Sequence, residues 1–314
     1  MTNKLFLRHE VLLALLLILT LIVLGAQSDR FLTLPNILNQ GRLMTEVGLI
    51  SVAMTFVILI GGIDLSVGSI MGLSAILLGV FWQNLALPLP LVLPAVLLVG
   101  TLAGLVNGIV ITKFKVPPLI TTLATLALYR GLAEGISQAR SVRGYPDWFA
   151  LISQGEILGI PGQLLFLLLV VVGASVMLWA TPWGRSIYAV GLNETSARFS
   201  GLAVDRTKLI VYSASGFAAA LAAIIFVSRV STTRSDMGSG IELDAITAVV
   251  LGGTSIFGGR GTVIGTFIGL CLIQTLKNGS SLAGIKGDGT IVLIGVVLIL
   301  ATVASSLFGR GGTR

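Results

Sequence analysis

Roughly 20-residue apolar runs recur along this chain between short stretches of charge, proline and glycine, at about 11–26, 44–61, 64–82, 90–112, 117–136, 163–181, 208–228, 241–257, 262–277 and 289–307. An α-helix rises about 1.5 Å per residue and the hydrocarbon core of a bilayer is about 30 Å thick, so each run has about the length of one crossing. Only 11% of the 314 residues are charged and the mean hydropathy is +1.01, whereas soluble domains are about one-quarter charged. Twenty Lys and Arg with 13 Asp and Glu cannot clothe the surface a soluble fold of this length exposes. The expectation is an all-α polytopic membrane protein of about ten transmembrane helices. It is expected to form a single domain over 1–314, with no soluble domain appended at either end. Gly61 and Gly62 alone divide the second run from the third, and Gly258 to Gly261 divide the eighth from the ninth, so eight or nine crossings stay open.

The net charge of +7 is spread singly between the runs, without the basic clusters and interleaved aromatics of a nucleic-acid surface. With ten crossings and a cytoplasmic N-terminus, the inner segments hold Lys4, Arg8, Lys113, Lys115, Arg185, Arg198, Arg206, Lys208, Arg260, Arg310 and Arg314 against Glu10, Glu194 and Asp205. The outer segments mix Arg30, Arg42, Arg140, Arg143, Arg229, Arg234, Lys277 and Lys286 with about as many acids. That bias places both termini in the cytoplasm. The first run imitates a signal peptide but is read as a retained span, because the rest is itself polytopic. Two loops are long, an outer one at about 137–162 and a basic inner one at 182–207.

A lone Cys271 and a lone His9 exclude an intrachain disulfide and a Cys/His metal cluster. No phosphate-binding loop and no Ser/His/Asp set occurs, so neither ATP hydrolysis nor catalysis is expected of the chain itself, and no cofactor or metal. Glycines four apart (Gly68 and Gly72; Gly100, Gly104 and Gly108; Gly131 and Gly135; Gly261, Gly265 and Gly269) read as close helix packing in lipid. The pattern Gly-Thr-x-x-Gly-x-x-x-Gly occurs at both 100–108 and 261–269; inverted repeats and chance similarity both produce it. At Gly61-Gly62-Ile63-Asp64-Leu65-Ser66-Val67-Gly68-Ser69, two glycines break a helix and Asp64 can cap the next or serve a path through the membrane. Arg130 and Glu134, four apart on one helix, are expected to pair with each other.

Two segments carry a family resemblance: 61–69, quoted above, and 184–202, GRSIYAVGLNETSARFSGL. With Ala248 to Gly259 (AVVLGGTSIFGG), they resemble the permease subunits of bacterial ABC importers for monosaccharides, the ribose, xylose, rhamnose and autoinducer-2 group. The resemblance runs from about 31 to 307. It implies an importer permease fold similar to that of the cobalamin permease, in the inner membrane. The implied partners are a second permease subunit, cytoplasmic ATP-binding subunits and a periplasmic sugar-binding protein. Its ATPase-coupling segment falls on the basic inner loop, with Arg185, Ser186, Asn193, Glu194, Ala197, Arg198 and Gly201. A short helix over 193–199, stopped by Gly201, fits a groove on the ATPase. Gly61, Gly62, Asp64, Ser66 and Gly68 are the candidates for the translocation path, and Arg140, Arg143, Arg229 and Arg234 for docking the binding protein. Leu128 to Gly131 and Ser141 to Pro146 look closest to rhamnose-type members, and Arg234-Ser235-Asp236 with Gly238 is similar to autoinducer-2 members, which leaves the sugar open. The competing reading is a secondary carrier acting without an ATPase.

Overall fold

A computed structural model of the chain describes residues 2–138, 140–285, 289–290, 292 and 295–296. Most of the last apolar run, 289–307, lies outside the described residues. α1 (Thr2–Gln27) is followed by α2 (Leu34–Leu43) and α3 (Thr45–Leu59), which meet at a bend of 48°. Then come α4 (Val67–Gly79), continued by a π turn over Val80–Asn84, α5 (Leu89–Lys113) and α6 (Pro118–Ser137). A loop region holds β1 (Val142–Arg143), α7 (Asp147–Gln154), β2 (Glu156–Ile157) and β3 (Ile160–Pro161). α8 (Gly162–Ala180), α9 (Pro182–Leu192), α10 (Glu194–Phe199), α11 (Val204–Val230), β4 (Thr232–Thr233), α12 (Ile241–Leu251) and α13 (Val263–Leu282) complete the chain as described. Proline at the first or second position starts α2, α5, α6 and α9, where its missing N–H costs no hydrogen bond.

Among the described residues five helices are long and apolar enough to cross a bilayer: α1, α4 with its π turn, α5, α8 and α11; the bent α2–α3 pair makes a sixth. α6 and α13 have 20 residues each but carry Arg130 and Glu134, and Gln274, Lys277 and Asn278. The eighth run departs from expectation. α12 is 11 residues long, about 16 Å, and stops where Gly253 takes a left-handed φ of 89°, so 252–262 is irregular backbone rather than the end of a full span.

α11 is the central helix and packs against α5, α3 and α4. Its contact with α5 is nearly backbone on backbone: a Cβ on Gly104 would lie 2.1 Å from the Tyr212 carbonyl oxygen, and one on Gly216 would lie 2.1 Å from that of Gly100. Gly265 and Gly269 press in the same way on the carbonyls of Gly252, just past the end of α12, and of Ala248 within it. The two copies of the glycine pattern therefore both serve close packing, against different partners. Gly131 and Gly135 do not: nothing stands within 4 Å of a Cβ at either position, and both face outward on α6. β1 pairs antiparallel with β4, Val142 opposite Thr233 and Arg143 opposite Thr232, which holds the 137–162 and 229–240 loops together at one end of the molecule.

Candidate functional site

From β4 the chain turns inward instead of remaining a surface loop. A Cβ on Gly79 would lie 2.9 Å from Thr233 Oγ1, and one on Gly68 would lie 2.4 Å from the Gly238 carbonyl oxygen. Segment 233–238 therefore descends along α4 by the rise from Gly79 to Gly68, about 16 Å, and α12 starts at the bottom of that descent. Irregular backbone at such depth needs its polar groups satisfied by protein or a wet cavity. Arg130 supplies this: its guanidinium donates to the carbonyls of Ser235, of Met237 (3.1 Å) and of Gly68 (3.2 Å). The expected Arg130–Glu134 pair does not form; Glu134 is exposed, while the carbonyls of the descending segment capture the arginine. Beside the segment opens a cavity of about 860 Å³, lined by Arg143, Arg234, Asp236, Ser239 and Asp244, with Met71, Met237 and Phe226 among its apolar walls. Asp244 is also bound to Lys277 at 2.6 Å.

At the helix break between α3 and α4, Gly61 takes φ 78° and the Gly62 N–H returns to the Val57 carbonyl at 2.9 Å. The buried Asp64 carboxylate accepts from the Ser66 N–H (3.0 Å), the Ser66 hydroxyl (2.6 Å) and the Ser215 hydroxyl of α11 (2.8 Å). Asn107 of α5 donates to Ser66 Oγ at 2.8 Å, and Thr122 of α6 donates to the Ile63 carbonyl at 3.0 Å. Asp64 thus ties the break to α11, and through Ser66 to α5, without touching the cavity; it makes no cap bond to the α4 N–H groups themselves. Tyr212 covers Gly62, and its buried hydroxyl has no hydrogen-bond partner among the described residues, as is also true of Asn107 Oδ1. Of these partners, Ser215 and Tyr212 of α11 and Asn107 of α5 carry no local sequence signal, because they lie on apolar helices far from the break in sequence.

The opposite end of the molecule from β1 and β4 carries α9 and α10. Asn193 caps α10 by accepting the Ser196 N–H at 2.8 Å, and Gly201 follows with φ 81°, where the sequence predicts a short helix and its stop. Glu194 and Arg198 face a cluster at the start of α11: Arg198 donates to both oxygens of Asp205 (2.7 and 3.1 Å) and to Glu194 (3.2 Å), and Lys208 donates to Glu194 (2.6 Å). Partial burial raises the Glu194 carboxyl, but the hydrogen bonds and charges of Lys208 and Arg198 outweigh it and hold the group below its ordinary 4.5. The clasp is therefore complete at neutral pH and is lost only as the pH falls through that lowered value. Ala197 is buried, Ser186 returns its hydroxyl to the Pro182 carbonyl, and Arg185 is exposed.

α9 also grips the helix break. A Cβ on Gly191 would stand 1.8 Å from the Leu59 carbonyl oxygen, and that same oxygen accepts the Gly259 N–H at 2.8 Å. Tyr188 donates to the Gly261 carbonyl at 2.8 Å. Three chain segments, the end of α3, the end of α9 and the 254–261 loop, thus meet at one carbonyl, a contact that the sequence gives no way to anticipate.

The four candidate docking arginines divide. Arg140, Arg143 and Arg234 are exposed, the last paired with Asp236 at 2.6 Å. Arg229 is not an available surface cation: its Nε donates to Glu46 at 2.9 Å, its guanidinium lies 4.9 Å from the Phe226 ring centroid, and Glu46 is buried.

Residues 36–302 match the family described as the permease component of the branched-chain amino acid transport system. The chain belongs to this permease family. It is 40% identical over 297 residues to the ribose import permease protein of Haemophilus influenzae, covering 93% of this chain and 92% of the relative. It is 41% identical over 290 residues to the ribose import permease protein of Bacillus subtilis, covering 91% and 89%. It is 36% identical over 304 residues to the autoinducer 2 import system permease protein of Escherichia coli, covering 95% and 92%. No solved structure matches. The resemblance carried by 61–69, 184–202 and 248–259 therefore holds. The permease is a multi-pass membrane protein and the transport subunit of an importer rather than an enzyme.

Proposed function

We propose that this permease forms the membrane path of an ATP-driven importer for a monosaccharide or a related small polyol-like solute. In that reading it lies in the bacterial inner membrane with about ten spans, both termini in the cytoplasm and a fold similar to the cobalamin permease. It pairs with a second permease subunit, receives sugar from a periplasmic binding protein and is moved by cytoplasmic ATP-binding subunits. The observation that carries the reading is the arrangement of the two ends: a polar-walled cavity opens beside the descending 233–238 segment, and at the other end the clasped α10 stands out, joined to the helix break through Gly191. Ribose-type and autoinducer 2-type relatives make a small oxygen-rich solute the substrate class, and the rhamnose-like stretches keep a deoxyhexose within it. Arg143 and Arg234, which line the cavity, and exposed Arg140 present cations for the acidic rim of a binding protein. Such rim contacts act on association rate and weaken with salt.

The test is reconstitution of the permease in liposomes with its ATP-binding subunits and loaded binding protein. Uptake is expected to require ATP and both partners; uptake by the permease alone, without ATP, would establish the secondary carrier instead. In the same system Glu194→Ala with Arg198→Ala removes both ends of the clasp. It is expected to leave ATP hydrolysis in place while uptake falls about tenfold or more, a barrier change of about 1.4 kcal/mol. Normal uptake in that double variant would remove α10 from the coupling role.

A further inference from the structure

We infer that the loop Thr254–Gly261 is a second docking element for the cytoplasmic ATP-binding subunit, with Phe257 as its anchor. The inference rests on the proposed importer function and extends the contact surface beyond α10. Phe257 is 92% exposed and Phe199, at the end of α10, is 89% exposed. Leu192, at the end of α9, is also exposed and its side chain packs over Gly259: a Cβ at Gly259 would stand 2.6 Å from Leu192 Cγ. The end of α9 and the loop tip therefore share one apolar surface, to which Ile256 adds a half-exposed side chain, and α10 follows Leu192 directly in the chain.

The loop is held rigid from within. Ser255 N–H donates to the Arg260 carbonyl at 2.8 Å, Gly258 N–H to the Ser255 carbonyl at 2.9 Å and Gly259 N–H to the Leu59 carbonyl at 2.8 Å, while Tyr188 holds the Gly261 carbonyl. A Cβ on Gly258 would meet the Gly61 N–H nitrogen at 2.9 Å. Phe257 is thus presented on a fixed support, and burying it in a partner orders little else. Arg185, Arg206, Arg260 and Lys113 are exposed at this end and make no ion pair among the described residues. Exposed aromatic anchors and arginines are enriched in protein interfaces, and the cations unpaired among the described residues call for a partner surface with acidic groups around apolar pockets. Lipid matches the phenylalanines but leaves α10, with Glu194 and Arg198 clasped to Asp205 of α11, no such depth to occupy.

The experiment uses Cys271→Ser as background, with Phe257→Cys or Phe199→Cys added, in inside-out vesicles containing the permease alone or co-assembled with its ATP-binding subunits. A membrane-impermeant maleimide is expected to label both positions in the permease alone and to label each about tenfold more slowly in the complex. Protection of position 199 with unchanged labelling at 257 overturns the second contact and leaves the importer reading standing. Unchanged labelling at both positions overturns the docking of α10 as well. Failure of position 257 to label in the permease alone places it in lipid and also overturns the inference. As a second readout, Phe257→Ala is expected to weaken capture of the ATP-binding subunits by about tenfold; unaltered capture counts against the contact.

Discussion

Arg229→Leu is expected to destabilise the permease more than any other single charge removal among its described residues. Glu46 is buried at the start of α3, and the Arg229 side chain at the end of α11 is its ion-pair partner. Removing the arginine leaves a carboxylate in a low-dielectric site, with a cost of about 3–5 kcal/mol for an uncompensated buried charge. Glu46→Gln combined with Arg229→Leu removes both charges and is expected to recover most of that loss, since the pair itself contributes little beyond mutual compensation. Arg234→Leu is the control. Arg234 and Asp236 are both exposed, and such pairs are worth about 0–1 kcal/mol. The measurement is the thermal unfolding midpoint of each purified variant in detergent. A loss in Arg229→Leu no larger than in Arg234→Leu would show that Glu46 finds water or another donor.

The elements that could be read from the sequence are those whose cause is local. α10 is one: a capping Asn193, six residues and a left-handed Gly201 define it within a single stretch. The helix break is another, since Gly61 and Gly62 act on their own backbone. Elements that depend on distant partners were not legible. Arg130 looked paired with Glu134 because i, i+4 is the only geometry a helix supplies by itself, yet its acceptors are carbonyls 62, 105 and 107 residues away in sequence. Arg229 read as an outer cation because Glu46 is 183 residues away. The 233–238 descent has the composition of an exposed loop, Thr233-Arg234-Ser235-Asp236-Met237-Gly238, since the polar groups that mark a surface turn also suit a segment lining a wet cavity. Apolar periodicity could not show that α12 is a half-length helix either. The apolar stretch 245–251 runs on into Gly252 and Gly253, and only the left-handed turn there ends it.

Gly191→Ala is expected to separate ATP hydrolysis from uptake, as the smallest change that reaches the junction of α9 with the helix break. A methyl group at position 191 would lie 1.8 Å from the Leu59 carbonyl oxygen and 2.5 Å from the Gly259 nitrogen. Both obstacles are backbone and cannot rotate away, so α9 must retreat from α3 by about 1 Å. That retreat opens the Gly259–Leu59 hydrogen bond and loosens the backbone contact that joins the end of α9 to the helix break, while the outward-facing α10 surface itself is untouched. ATP-binding subunits are therefore expected to bind and hydrolyse ATP, with uptake reduced by tenfold or more. Two further alanines separate this from a general effect of losing a glycine. At Gly173 nothing stands within 4 Å of the added carbon, so Gly173→Ala is expected to be neutral. At Gly201 the surroundings are equally open but φ is 81°, and Gly201→Ala is expected to cost about 1 kcal/mol of stability with hydrolysis and uptake still linked. Uptake in Gly191→Ala equal to that in Gly173→Ala would show that force reaches the membrane spans by another route, with the start of α11 behind the Glu194–Lys208 and Arg198–Asp205 clasp as the remaining connection.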